Sequence, residues 1–165
     1  APIDVHLMIQ PLGNMLEAFA EAGATTLTVH PACCDDVAAT LKHIHQLGCQ
    51  AGLAINPGQN IADIVPHLSL CDEVLMMTVQ PGFGGQAFQQ QVLPDIERLH
   101  HVIQADERAT VVAVDGGIDG QTLSWAKRAG ARRFVAGSAL FHHDAKIMQS
   151  QIAALLASTL SNSSA

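Results

Sequence analysis

Apolar positions along this chain follow two alternating patterns. Residues 3–9, 25–30, 51–55, 74–78, 111–114 and 133–136 are short runs of β-branched and apolar residues on nearly consecutive positions. Such runs suit strands buried on both faces. Between them the spacing changes. Leu12, Met15, Leu16 and Phe19 fall at i, i+3, i+4 and i+7, one face of a helix. Val37, Leu41, Ile44 and Leu47 make a second such face, and Val92, Leu93, Ile96, Leu99 and Ile103 line a helix predicted over 89–105, where Pro94 is tolerated only near the first turn. A short helix carrying Ile61, Ile64, Val65 and Leu68, another over 123–129, and a last one holding Ile147, Met148, Ile152, Leu155 and Leu156 complete the alternation. Gly23 and Gly48 stand where two helices must end, and Asp35 or Asp36 is placed to cap the second.

Six βα units of this kind predict a parallel sheet covered by helices, either doubly wound or a (β/α)8 barrel. Six units are two short of a barrel. The echo of Ala22-Gly-Ala24 in Ala129-Gly-Ala131, each joining a helix end to a strand start, supports a repeated unit. No linker or charge run divides the chain, so the expectation is one domain over 1–160, incomplete at its start, with 161–165 as a disordered tail.

Three strands empty into glycine-rich loops: Val79-Gln-Pro-Gly-Phe-Gly-Gly-Gln86, Val111-Val-Ala-Val-Asp-Gly-Gly-Ile118 and Phe134-Val-Ala-Gly-Ser-Ala139. Glycine permits positive φ and lets backbone N–H groups approach a ligand. One such loop is a weak signal; three after buried-type strands mark one end of the sheet as a site.

Composition narrows the class. With 165 residues, 48% of them hydrophobic, the chain is long enough to bury a core, and its mean hydropathy of +0.23 is that of a globular protein. A net charge of −7 with scattered Lys and Arg argues against a nucleic-acid surface, and no apolar run approaches the roughly 20 residues of a membrane span. Cys33, Cys34, Cys49 and Cys71 form no C-x-x-C pair and read as reduced thiols of a cytoplasmic protein.

Taken together, Asp4-Val-His-Leu-Met-Ile9, Val29-His-Pro31, Gly52-Leu-Ala-Ile-Asn-Pro-Gly58, Met77-Thr-Val-Gln-Pro-Gly-Phe-Gly-Gly-Gln86, Val114-Asp-Gly-Gly-Ile118 and Ala136-Gly-Ser-Ala-Leu-Phe141 resemble the ribulose-phosphate 3-epimerase family in order and spacing. The resemblance implies a (β/α)8 TIM barrel of ribulose-phosphate-binding type, with the third to eighth βα units in this chain. It implies an isomerase of the pentose phosphate pathway that interconverts D-ribulose 5-phosphate and D-xylulose 5-phosphate through an enediolate. An allulose-6-phosphate 3-epimerase and a catalytically inactive truncated homologue are the alternatives.

The resemblance also assigns roles. Asp115 would be a catalytic carboxylate and a metal ligand, and His6 a second ligand. The bound ion would be one divalent metal: Zn, Fe, Mn or Co. Substrate and phosphate would be held by His6, Gly82, Phe83, Gly84, Gly85, Asp115, Gly116, Gly117, Gly137 and Ser138, with residues 82–85 closing as a lid. Met8 and Met77 would shield the reacting centre. The family draws a further His-x-Asp pair from its second strand, for which this chain offers no substitute. The expected partners are a phosphorylated ketose and further copies of the chain, with neither nucleic acid nor membrane.

The residues alone give some of this. An Asp at the C-terminal end of a buried strand is costly to bury unpaired and stands where barrels place catalytic groups; the plain alternative is a cap for the following helix. His6 shares one strand face with Asp4 and Met8. His30 matches a family position that usually reads His-x-Glu, but Ala32 replaces the Glu, so no role is assigned to it. The pairs His43/His45, His100/His101 and His142/His143 are expected to be solvated, because neither i, i+1 nor i, i+2 spacing puts two imidazoles on one helix face.

Overall fold

A computed structural model of the chain describes residues 1–82, 85–141 and 144–160. It contains six strands: β1 (Asp4–Leu7), β2 (Thr26–Val29), β3 (Gln50–Ile55), β4 (Glu73–Met77), β5 (Val111–Asp115) and β6 (Arg133–Val135). The helices are α1 (Met15–Glu21), α2 (Val37–Gln46), α3 (Leu93–Ala105), α4 (Gly120–Arg128), α5 (Ser138–Phe141) and α6 (Ala145–Leu160). The chain divides into two compact units. The first holds Ala1–Ile55, Gln59–Leu75 and Val102–Val111; the second holds Asn56–Gly58, Met76–His101 and Val112–Ala165.

In the first unit, β1, β2 and β3 run parallel as successive neighbours, with His6 opposite Thr28 and Thr28 opposite Gly52. The Asp72 amide donates to the Ala51 carbonyl at 2.8 Å, which carries the pairing on to the start of β4. Each residue of β2 is buried, as are all of β3 beyond Gln50. A strand covered on both faces must be apolar or internally hydrogen-bonded at nearly every position, and Thr28 meets that demand by donating to Glu73. The chain rises into α2 through Asp36, whose side chain accepts from the Ala39 amide at 2.9 Å. Leu41 and Ile44 turn inward from this helix.

In the second unit, β5 pairs in parallel with β6, Val114 standing opposite Phe134. Just past β4, the Thr78 amide donates to the Asp115 carbonyl at 2.8 Å. Asp119 caps α4, accepting from the Gln121 and Thr122 amides at 2.8 and 2.9 Å, while the Thr122 hydroxyl accepts from the Asp119 amide. Asp144 starts α6 in the same way.

The element order is the one the periodicity predicts. Three details differ. Residues 61–70 form two tight 3₁₀ turns, Ile61–Asp63 and Val65–Leu70, because Pro66 interrupts an already short run. Residues 90–92 are likewise a 3₁₀ turn, leaving Pro94 in the first turn of α3. The four-residue α5 was not anticipated. Large apolar side chains remain exposed on each unit: Ile3, Met8, Ile9 and Met15 on the first, and Val135, Phe141, Ile147, Ile152 and Leu156 on the second. Among the described residues no helix is long and apolar enough to cross a membrane.

Candidate active site

Asp115 is the last residue of β5 and lies half-buried. Its backbone is fixed from the neighbouring segment: the Thr78 hydroxyl donates to the Asp115 carbonyl at 2.9 Å and to the Gly116 carbonyl. Thr78 is fully buried, and its own carbonyl accepts from the Gln89 amide. One threonine therefore ties together the end of β4, the end of β5 and the segment leading to α3. Nothing in the periodicity singles it out; the available signal is a hydroxyl at the last position of a buried run.

The Asp115 carboxylate has no hydrogen-bond or ion-pair partner among the described residues. Burial pushes its pKa above the usual carboxylate range. The capping alternative fails, since Asp119 takes that role. A half-buried carboxylate with raised affinity for its proton, held at a strand end, is a candidate acid/base group.

The turn after Asp115 demands glycine twice. Gly116 has φ +120°, and a Cβ there would meet Val79 side-chain atoms at 2.6 and 2.8 Å. Gly117 has φ +61°, and its Cβ would fall 2.5 Å from the Phe88 amide nitrogen and 2.9 Å from the Gln86 carbonyl oxygen. Segment 86–88 thus packs directly on this backbone, and a cavity of about 420 Å³ opens between Gln86, Phe88, Gly117, Trp125 and Ser138. The Trp125 and Phe88 rings meet edge to face at 6.3 Å. Gly137 and Ser138 are exposed at the start of α5. Gly82 and Gly85 both carry positive φ, at +144° and +77°. Phe83 and Gly84 lie outside the described residues, as do His142 and His143.

The first unit carries the other candidates. His6 is half-buried in β1, and its Nε2 lies 2.9 Å from Nε2 of His30. Burial, with His30 beside it, pushes the His6 pKa down to about 4, so the ring is neutral at pH 7. His30, which the sequence left without a role, is only 8% exposed and is pushed down by burial as well. Strand geometry explains the meeting: His6 is in register with Thr28, and His30 lies two residues further along the same face. That register was the signal available for finding it. Met8 is 53% exposed, whereas Met77, in the second unit, is 3% exposed. His43 and His45 are not merely solvated, since their Nε2 atoms pair with Glu17 at 2.8 Å and Asp72 at 2.9 Å.

His6 and Asp115 belong to different units. As donors, a neutral imidazole nitrogen and a half-buried carboxylate without a protein partner suit Zn, Fe, Mn or Co. Among the described residues no three His, Cys, Asp or Glu side chains cluster as a complete metal site.

Residues 1–141 match the ribulose-phosphate 3-epimerase family. The chain belongs to that family. It is 40% identical over 144 residues to ribulose-phosphate 3-epimerase 1 of Cupriavidus necator, covering 85% of this chain and 60% of that protein. Against the ribulose-phosphate 3-epimerase of Escherichia coli K12 it is 40% identical over 141 residues, covering 86% and 63%. The chain spans less than two thirds of the length of these relatives. Among solved structures, 3-hexulose-6-phosphate synthase from Salmonella typhimurium is similar with a TM-score of 0.64 at 21% identity, over 94% of this chain and 72% of that one. A structure described as native KDPGal is similar with a TM-score of 0.66 at 16% identity, over 96% and 68%. These likenesses agree with the βα alternation: the fold is part of a (β/α)8 barrel.

Proposed function

We propose that this chain carries the proton-transferring carboxylate and the phosphate-binding end of a ketose-phosphate 3-epimerase, acting on D-ribulose 5-phosphate and D-xylulose 5-phosphate. The observation that supports this most is Asp115: a carboxylate without a partner among the described residues, its pKa raised by burial, at the end of β5 and two residues before Gly117, which lines a cavity. Family membership supplies the reaction class.

Epimerising the carbon next to a ketone means removing its proton and returning one to the opposite face. Asp115 holds or gives up the proton on one face, and burial raises its affinity for that proton. Thr78 fixes the Asp115 backbone, so the carboxylate meets the substrate without first being ordered. Gly117 and Ser138 line the cavity where the phosphate is seated, and Gly137 adjoins Ser138. Trp125 and Phe88 line that cavity with apolar surface. Asp115 would serve as one ligand of the divalent metal that the family resemblance implies, and such a metal would supply Lewis-acid stabilisation of developing negative charge.

The test is exchange of the substrate's C3 proton for deuterium, followed by NMR on the purified chain with a divalent metal present, alongside product formation. Asp115→Asn is expected to lower exchange by about 100-fold or more. Exchange in the parent chain that Asp115→Asn leaves within about ten-fold would remove Asp115 from the proton-transfer role. Faster turnover of allulose 6-phosphate than of ribulose 5-phosphate would move the assignment to the six-carbon sugar.

A further inference from the structure

Cys33 and Cys34 are adjacent free thiols that neither the core nor the candidate active site uses. They stand in the turn that leaves β2. Residues 31–33 form a 3₁₀ turn in which the Cys33 amide donates to the His30 carbonyl at 2.9 Å, and the Cys34 amide donates to the Pro31 carbonyl at 3.1 Å. Cys49 and Cys71 are buried, at 6% and 7% exposed, whereas Cys33 and Cys34 are half-buried. Both of the adjacent pair line a cavity of about 440 Å³ that lies wholly within the first unit. Small-molecule sites have volumes of about 300–1,000 Å³. Pro11, Leu12 and Leu16 give this one an apolar wall.

Thiols on successive residues are poorly placed to join each other. Consecutive Cα atoms stand about 3.8 Å apart, short of the roughly 4.4–6.8 Å that disulfides span. A larger atom bonded to both sulfurs lengthens the ring by one member and relaxes that constraint. Acting singly, Cys34 is a weak nucleophile. Burial pushes its pKa up, opposed by a hydrogen bond with Thr40 and reinforced by Cys33, Asp35 and Asp36. Its Sγ donates instead to the His30 carbonyl at 3.4 Å. An acceptor that takes both sulfurs gains from the second bond being intramolecular, which a one-thiol electrophile does not.

We propose that Cys33 and Cys34 form a dithiol site for a monosubstituted trivalent arsenical, R–As=O, whose organic substituent sits in the cavity against Pro11, Leu12 and Leu16. Two As–S bonds form while two S–H bonds and the As=O bond break, and both protons leave with the oxygen as one water molecule. Arsenic stays trivalent, so no oxidant or reductant takes part. Its third position is already filled by carbon, and two thiols therefore complete the arsenic, where a structural metal ion demands about four ligands. No residue of the candidate active site belongs to this pair or to the cavity wall.

The experiment treats the full chain at pH 7.5 with phenylarsine oxide, after the thiols are reduced with a phosphine and the phosphine removed. Intact mass is expected to rise once per chain, by C₆H₅As less two hydrogen atoms, and two of the four thiols should be lost to a thiol reagent. The adduct should survive excess monothiol and be reversed by a dithiol. Cys33→Ser and Cys34→Ser should each weaken retention at least ten-fold, and replacing Cys49 and Cys71 together by Ala should leave it within about two-fold. Methylarsine oxide should be held less tightly than the phenyl compound, and Leu12→Ala should narrow that gap about three-fold; an equal hold on both compounds by the parent chain would overturn the cavity's part in the site. Should a serine variant fail to fold, tryptic mapping of the parent adduct decides, because cleavage after Lys42 separates Cys33 and Cys34 from Cys49 and Cys71. Arsenic is expected on the fragment that ends at Lys42; no adduct, or arsenic on the later fragment, overturns the proposal.

Discussion

Gly117→Ala is the substitution that most directly tests how the candidate site is built. The residue has φ +61°, a left-handed conformation that costs an L-residue about 1–2 kcal/mol. The added methyl would also lie 2.5 Å from the Phe88 amide nitrogen, 2.9 Å from the Gln86 carbonyl oxygen and 3.0 Å from the Phe88 Cα. All three are backbone atoms, so no side-chain rotation relieves the clash. Overpacking of this kind costs about 1–3 kcal/mol, and the sum is about 2–5 kcal/mol. Relief requires segment 86–88 to move off the turn, which opens the cavity that Trp125 lines.

Trp125 is the chain's one tryptophan, so its fluorescence reports on this cavity without interference. Urea unfolding followed by that fluorescence should show the second unit destabilised by about 2–5 kcal/mol, with a changed emission spectrum already in the absence of urea. Gly120→Ala serves as the control. It lies in the first turn of α4, its Cβ would meet nothing within 4 Å, and its φ is not in the left-handed region. There the lost flexibility of the unfolded chain should stabilise by about 0.4–1 kcal/mol. A Gly117→Ala loss below about 1 kcal/mol, with unchanged native emission, would refute the claim that backbone contact between this turn and segment 86–88 shapes the cavity.

Three other outcomes follow from the charge states and the surface. Asp115 binds its proton more tightly folded than unfolded, so its contribution to stability falls as pH rises from the ordinary carboxyl value of 3.8 through its raised folded value. Asp115→Asn should therefore gain stability relative to the parent across that window and hold the gain at pH 7, as read by urea midpoints; no pH-dependent difference would contradict the burial argument. His6 titrates at about 4 in the fold against 6.5 ordinarily, so stability is fully present above 6.5 and lost as pH falls toward about 4. His6→Gln should flatten that acid limb, and an unchanged slope would count against the neutral ring. Exposed Phe141, Val135, Leu156, Met8 and Ile3 leave apolar surface in excess of a soluble monomer's needs. The chain is expected to self-associate in a concentration-dependent way by light scattering, and a monomer at all concentrations tested would oppose this.

The fold was legible because both of its periods are written into single residues. β2 has to be apolar or satisfied at every position, and Thr26-Leu-Thr-Val29 is compact, β-branched and fully buried. The helix ends were legible for the same local reason: Asp36 accepts from Ala39, and Gly48 takes φ +80° after α2. The 3₁₀ turns at 61–70 were not, because an i, i+3, i+4 pattern does not distinguish one turn of α-helix from a tighter one. The glycines of the Asp115 turn were readable as glycines. Their reason was not: Gly117 is required by the approach of residues 86–88, some thirty positions away in the chain.

The site shows the same division more sharply. Asp115 could be found because its chemistry conflicts with its surroundings: an acid at the end of Val-Val-Ala-Val needs a purpose, and its only local alternative, capping α4, is taken by Asp119. Thr78 and His30 carry no such conflict. A threonine is at home in a strand, and a histidine before Pro31 reads as a loop residue. Each acquires its contacts from the folded arrangement, Thr78 by bonding the Asp115 and Gly116 carbonyls, and His30 by lying two residues beyond the partner of His6. Register was, in principle, derivable. Parallel neighbours with His6 opposite Thr28 bring His30 onto the same face, so two histidines 24 positions apart become one diagonal pair. The local motif around His30 lacks a glutamate at position 32 and carries no trace of this pairing, because the partner ring is on the adjacent strand.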